Sequence, residues 1–171
     1  MLLETSGPTG GGEESPVAAP IGLAGPVPAN QDHPERAPLA AGGRELRILL
    51  IEDSSLLQKR LTELLTEHGV MQVTATAATE RDAVHQIDTG TFDVLLVDVE
   101  LREGTGIGAI AHARKTYASD RQPLIIVLTN YPMPAVRDRC LAAGADHFLD
   151  KMRQFQEVRP LIIGARSVGL T

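Results

Sequence analysis

Glu52 and Asp53 close the apolar run RILLIE, Asp98 closes DVLLVD, Thr129 closes LIIVLT, and Lys151 follows DHFLD. A charge at the end of an apolar run is costly to desolvate without a partner, so these groups are read together. Carboxylates crowded into one place oppose each other's ionisation unless a cation offsets them. A hard divalent ion is the natural counterion for Glu52, Asp53 and Asp98. Carboxylate oxygens with few protein ligands suit Mg²⁺, which keeps several waters and commonly binds beside a phosphate. The histidines and Cys140 show no ligand spacing, so zinc is not expected. An aspartate beside Mg²⁺ can attack a phosphoryl group while a lysine offsets charge on the phosphoryl oxygens; Asp98 and Lys151 are cast in those parts. The Thr129 hydroxyl can bond a phosphoryl oxygen only once the group has arrived. Such an arrangement is a switch, in which a new doubly charged group recruits a donor and moves the loop that carries it.

These residues need elements that bring them to one edge. Strands are expected at 47–52, 72–76, 93–98, 124–129 and 146–150, alternating with helical patterns, which predicts repeated strand-helix units around a parallel sheet. The first and third runs are apolar throughout, as central strands covered on both faces would be. Leu57, Leu61, Leu64 and Leu65 form the stripe of a first helix, capped by Ser54 and stopped by Gly69. Thr79-Glu80-Arg81-Asp82 opens a second, with Ala83, Val84 and Ile87 facing inward and Gly90 at its end. GIGAIAHARK supplies a third, weakened at its start by Gly106 and Gly108. A fourth spans 133–143 and stops at Gly144. In the last, Phe155, Val158, Leu161, Ile162 and Ala165 keep helical spacing, and Pro160 must kink or restart it. The fold class is α/β, a doubly wound five-stranded parallel sheet with helices on both faces. In open sheets of this kind ligands bind beyond the carboxyl ends of the strands, where the site candidates stand.

The chain of 171 residues is sized for one domain, and 43% hydrophobic residues can close its core. A net charge of -6 with no run of Lys or Arg disfavours nucleic-acid binding. Residues 1–44 hold half of the 16 glycines and most of the 11 prolines with no apolar periodicity, so a disordered tail is expected there. Residues 45–171 form the folded domain. One cysteine, Cys140, fits a reducing compartment; it reads as a small buried side chain rather than a nucleophile paired with His147. His85 and His112 read as solvated helix positions. The start lacks a signal segment and no stretch approaches the ~18 apolar residues of a membrane span, so a cytoplasmic protein without membrane insertion is expected.

From Leu46 to Ile163 the chain resembles the receiver domain of two-component response regulators. The resemblance rests on Glu52-Asp53, Asp98, Thr129 and Lys151, in the order and at the strand ends that family uses. It implies the flavodoxin-like, CheY-like strand order 2-1-3-4-5, a phosphorylated Asp98, Mg²⁺ held with Glu52 and Asp53, Lys151 on the phosphoryl group, Thr129 as switch hydroxyl and Phe148 as switch aromatic. The implied donor is a phosphohistidine on a sensor histidine kinase or phosphotransfer protein. The responding surface would be 133–143, 146–149 and 155–165, and the downstream protein is not identified. Departures are Arg102 for the usual loop proline, Asn130 for a very small residue, and Met152 for the proline after the lysine; Glu100 and Tyr131 flank the site. The expected function is a stand-alone phosphorylation-dependent switch in a phosphorelay and not an enzyme. The alternatives are a phosphorylation-independent interaction module and an aspartyl-phosphate hydrolase. For Asp98 alone, capping the following turn is the plainer reading, which Lys151 and the acidic pair weigh against.

Overall fold

A computed structural model describes residues 44–167, so the tail expected over 1–44 lies, except for Arg44, outside the described residues. The elements run β1 (Leu46–Ile51), α1 (Ser55–Leu65), β2 (Met71–Ala77), α2 (Glu80–Thr89), β3 (Val94–Val97), α3 (Gly106–Thr116), β4 (Leu124–Thr129), α4 (Pro134–Ala143), β5 (His147–Asp150) and α5 (Val158–Ser167). Short 3-10 turns cover Ser119–Arg121 and Phe155–Glu157.

The five strands are all parallel in the order β2-β1-β3-β4-β5, as expected. Side chains alternate across the sheet and divide the core in two. Leu49, Ile51, Leu95, Val97, Ile125 and Val127 pack against α2, α3 and α4 through Ala83, Ile87, Ala109, Ile110 and Cys140. Ile48, Leu50, Val94, Leu96, Ile126 and Leu128 pack against α1 and α5 through Leu61, Leu65, Val158 and Ile162. Each such Leu or Ile, fully withdrawn from water, contributes roughly 1.5–3 kcal/mol. β2 is an edge strand and alternates buried with exposed residues. The winding reverses between β1 and β3, and the crevice of a doubly wound sheet opens there.

The caps account for most helix boundaries. Ser54 Oγ accepts the Leu57 amide, and Thr79 Oγ1 accepts the Asp82 amide. Gly144 ends α4 in the left-handed region, its amide bonded to Cys140 and Leu141 carbonyls. Three expectations need correction. α1 stops at Leu65 rather than at Gly69; Thr66 leaves the helix extended, and Gly69 serves the following turn at φ +75. Pro160 meets the second of its two expected roles, since the 3-10 turn of Phe155–Glu157 gives way to a fresh helix at Val158 and the proline falls in its first turn, where no intrahelical donor is lost. Phe155 accordingly belongs to the preceding 3-10 turn. His112 is not simply solvated: its Nε2 lies 2.7 Å from Asp88 Oδ1, tying α3 to α2.

The glycines of α3 have a steric role beside their cost to the helix. Thr105 caps the helix, its Oγ1 accepting the Ile107 amide, and each glycine admits a close neighbour. A Cβ on Gly106 would overlap the Asp98 carbonyl oxygen, and one on Gly108 would overlap Glu80 Oε1.

Candidate functional site

β1 and β3 are adjacent and in register, Ile51 beside Val97, so the residues that follow them emerge side by side. Strand β3 ends one residue short of its expected limit, which puts Asp98 on the loop just past the strand. Glu52, Asp53 and Asp98 bring one carboxylate oxygen each to within 4.8 Å of one another. Glu52 and Asp98 are buried and Asp53 is half-buried.

Lys151, immediately after β5, reaches across the sheet to this group. Its Nζ donates to Glu52 Oε2 at 2.7 Å and also to Asp98 Oδ2. The lysine is itself buried, and its amide extends the β4–β5 pairing by donating to the Thr129 carbonyl at 2.9 Å. Burial by itself would lower the Lys151 pKa, but the hydrogen bonds and charges of Asp98 and Glu52 outweigh it and hold the ammonium above its ordinary value. Glu52 shows the opposite balance. Desolvation raises its carboxyl pKa despite the bonds from Lys151 and the Ser54 amide, and the Asp98 charge pushes the same way. One lysine therefore does not satisfy the acidic group.

Two more bonds orient the carboxylates. The Ser54 amide donates to Glu52 Oε1 at 3.1 Å, and the Glu100 amide approaches Asp98 Oδ1 at 3.4 Å. Ser54, not Asp53, caps α1, so Asp53 is free of that duty.

Thr129 and Phe148 are placed less directly. Thr129 is fully buried at the end of β4, and its Oγ1 accepts the Tyr131 amide at 3.2 Å. No hydrogen bond joins it to the carboxylates among the described residues. Phe148 is buried beside Val127 in the core under α2, α3 and α4. Tyr131 and Glu100 are exposed beside the site, while Cys140 lies wholly inside, where burial pushes its thiol pKa up to about 11. A nucleophilic role for Cys140 has no support in that setting.

Outside the carboxylates an open cleft of about 440 Å³ is lined by Asp53, Val99, Glu100, Leu101, Gly104, Thr105, Ile107 and Arg139. Arg139 and Thr105 did not stand out in the sequence. Arg139 carries no spacing signal, and the role of Thr105 as a cap is obscured by the glycines that follow it.

A five-stranded parallel sheet of this order, with an acidic group and a lysine at the carboxyl edge of its central strands, is the architecture of a receiver domain. The response regulator receiver domain family matches residues 48–162, and the chain belongs to it. It is a receiver domain of the two-component response regulators. Among curated relatives, a protein-glutamate methylesterase/protein-glutamine glutaminase of Azospirillum brasilense is 29% identical over 78% of this chain and 33% of its own length. The response regulator UvrY of Escherichia coli is 31% identical over 66% of this chain and 50% of its own length. The chain thus spans between a third and a half of these two relatives. Among solved structures, the receiver domain of sensor histidine kinase PA1611 from Pseudomonas aeruginosa, with a magnesium ion coordinated in its active site cleft, is 27% identical with a TM-score of 0.62, covering 72% of this chain and 98% of that one. The response regulator domain of Thermotoga maritima CheB has the same fold, with 22% identity and a TM-score of 0.61 over 74% of this chain and 97% of that one.

Proposed function

We propose that the chain is a phosphorylation-dependent switch that accepts a phosphoryl group on Asp98 from a phosphohistidine of a sensor histidine kinase or phosphotransfer protein. The observation that carries this reading is the convergence of Glu52, Asp53, Asp98 and Lys151 at the carboxyl ends of β1, β3 and β5. The donor set is all carboxylate and holds one cation for three acidic groups, which fits a hard divalent ion. Glu52, Asp53 and Asp98 would hold Mg²⁺, which when bound neutralises charge on the phosphoryl oxygens and is found in the cleft of the PA1611 receiver domain.

An Asp98 carboxylate oxygen forms the new P–O bond as the P–N bond of the phosphoimidazole breaks, and the electron pair departs with the imidazole nitrogen. Lys151 exchanges part of its present pairing for a phosphoryl oxygen, so the total of close opposite charge is kept. Thr129 turns its hydroxyl from the Tyr131 amide to the new anion, and the loop after β4 follows. Phe148, packed next to β4, is the buried group that feels that movement, and the response is read by a protein partner at α4, β5 and α5.

Incubating the full chain with acetyl phosphate and Mg²⁺ tests the reading. A stable acyl phosphate on the parent, measured by intact mass and lost in Asp98→Asn, is the expected result. An unlabelled parent would support the phosphorylation-independent interaction module instead, and continuous release of phosphate would support a hydrolase.

A further inference from the structure

The segment that carries Asp98 away from β3, residues 98–106, contains no proline to stiffen it. It is held from outside by the turn that begins α2. The Arg102 amide donates to the Ala78 carbonyl at 3.3 Å, the Glu80 amide donates to the Glu103 carbonyl at 2.9 Å, and the Thr105 amide donates to Glu80 Oε2 at 2.8 Å.

The last of these bonds belongs to a recognisable device. In a capping box the residue three places into a helix carries a Glu or Gln whose side chain accepts the amide of the capping residue. Thr105 is the cap of α3, its Oγ1 accepting the Ile107 amide at 3.0 Å, one residue earlier than in the full box. The position three residues on is Gly108, which has no side chain to make the other half. A Cβ there would overlap Glu80 Oε1, and one on Gly104, at φ +77, would overlap the Glu80 side chain as well. Glu80, reaching over from α2, thus fills the volume and accepts the hydrogen bond of the missing partner.

The connection continues to the reacting group. Thr105 is bridged to Glu100, the Gly106 amide donates to the Val99 carbonyl at 3.0 Å, and the Glu100 amide faces Asp98 Oδ1. Because that final contact is long, at 3.4 Å, a small tilt of the loop decides whether it is made.

We propose that Glu80 is a positioning residue for the phosphoacceptor, completing the α3 cap from a neighbouring helix and thereby holding the Glu100 amide against Asp98. The proposal rests on Asp98 being the acceptor. In the full chain, Glu80→Ala should slow labelling by acetyl phosphate at saturating Mg²⁺ about tenfold, the low end of the loss seen when a partner behind a metal-site residue is removed. The thermal midpoint should change little. Glu80→Gln keeps an oxygen for the Thr105 amide and should retain the parent's rate. Gly108→Ala expels the Glu80 carboxylate and should reproduce the loss, yet add nothing in a Glu80→Ala background. Labelling of Glu80→Ala at the parent's rate, equal losses in Glu80→Ala and Glu80→Gln, or additive effects of the two sites would each overturn the proposal. Amide exchange over residues 99–106 separates it from the reading beneath. Should the parent itself take no label, that reading fails, while exchange faster in Glu80→Ala but not in Glu80→Gln still upholds the clamp, and unchanged exchange removes it.

Discussion

At the scale of single residues the site is arranged against the stability of the fold. Glu52 is 2% exposed, and its carboxyl pKa is raised above 4.5 chiefly by desolvation. The folded protein therefore binds a proton at Glu52 more readily than the unfolded chain does. Stability from this group is full below 4.5 and is lost as pH rises through the folded value, so its charge opposes folding at neutral pH. Glu52→Gln should raise the thermal midpoint in the absence of divalent ions, with Asp98 still paired to Lys151. The same substitution should weaken Mg²⁺ binding, measured by calorimetry. A lower midpoint would mean that the Lys151–Glu52 pair outweighs the burial of the carboxylate. The main partners were legible in the sequence because each sits directly behind an apolar run. Their pairing geometry was not, because the reach of Lys151 over Glu52 and Asp98 depends on the positions of β1, β3 and β5 together.

Among the elements, α3 and α4 are joined through one arginine. Arg114 donates to the Gly144 carbonyl at 2.9 and 2.7 Å, to Asp146 Oδ2 at 2.8 Å, to the Pro123 carbonyl at 2.9 Å and to Gln122 Oε1 at 3.0 Å. It thereby caps the end of α4 and fixes the loops before β4 and β5. Asp146 Oδ2 also accepts the Ile125 amide at 2.7 Å. Arg114→Ala would leave Asp146 partly buried without this partner and the Gly144 carbonyl without its cap. With Arg114 and Asp146 side chains 18% and 14% exposed, a loss of about 2–3 kcal/mol is expected in denaturant unfolding, somewhat below that of a wholly buried pair. Arg114→Lys should recover little, because an ammonium cannot serve several acceptors in the planar geometry of a guanidinium. Ser54, Thr79 and Gly144 announced their caps because capping is local chemistry. Arg114 looked like an ordinary charge near the end of a helix, since its acceptors come from two other segments, Gln122-Pro123 and Gly144–Asp146.

For the molecule as a whole, alkaline pH is the condition to which the buried groups are most sensitive. Burial raises Cys140 from 9.0 to about 11 and also raises Tyr117 above 10.0, while Asp98 and Glu52 hold Lys151 above 10.5. All three bind protons more tightly folded than unfolded, so the native state holds the larger number of protons and stability falls as pH rises. The contribution of Cys140 is complete below 9.0 and disappears as pH passes about 11, roughly 2–3 kcal/mol in total. Unfolding free energies measured between pH 8 and 11.5 should decline, and Cys140→Ala should flatten the slope. An unchanged slope in that variant would assign the alkaline loss to Tyr117 and Lys151 alone.

The sequence by itself determined the alternation of strand and helix, the layered class of the fold and the residues that end the strands, because apolar periodicity and caps act over a few residues. It also carried the family, since charged residues behind buried strands keep their order whatever the loops do. Only the tertiary structure decided that Lys151 joins Glu52 to Asp98, that Gly106 and Gly108 make room for the Asp98 carbonyl and Glu80, and that Glu80 accepts the amide of the residue capping a neighbouring helix. Each of those facts is a contact between segments far apart in the chain, fixed by how the sheet and its two helical layers close and not by any local preference.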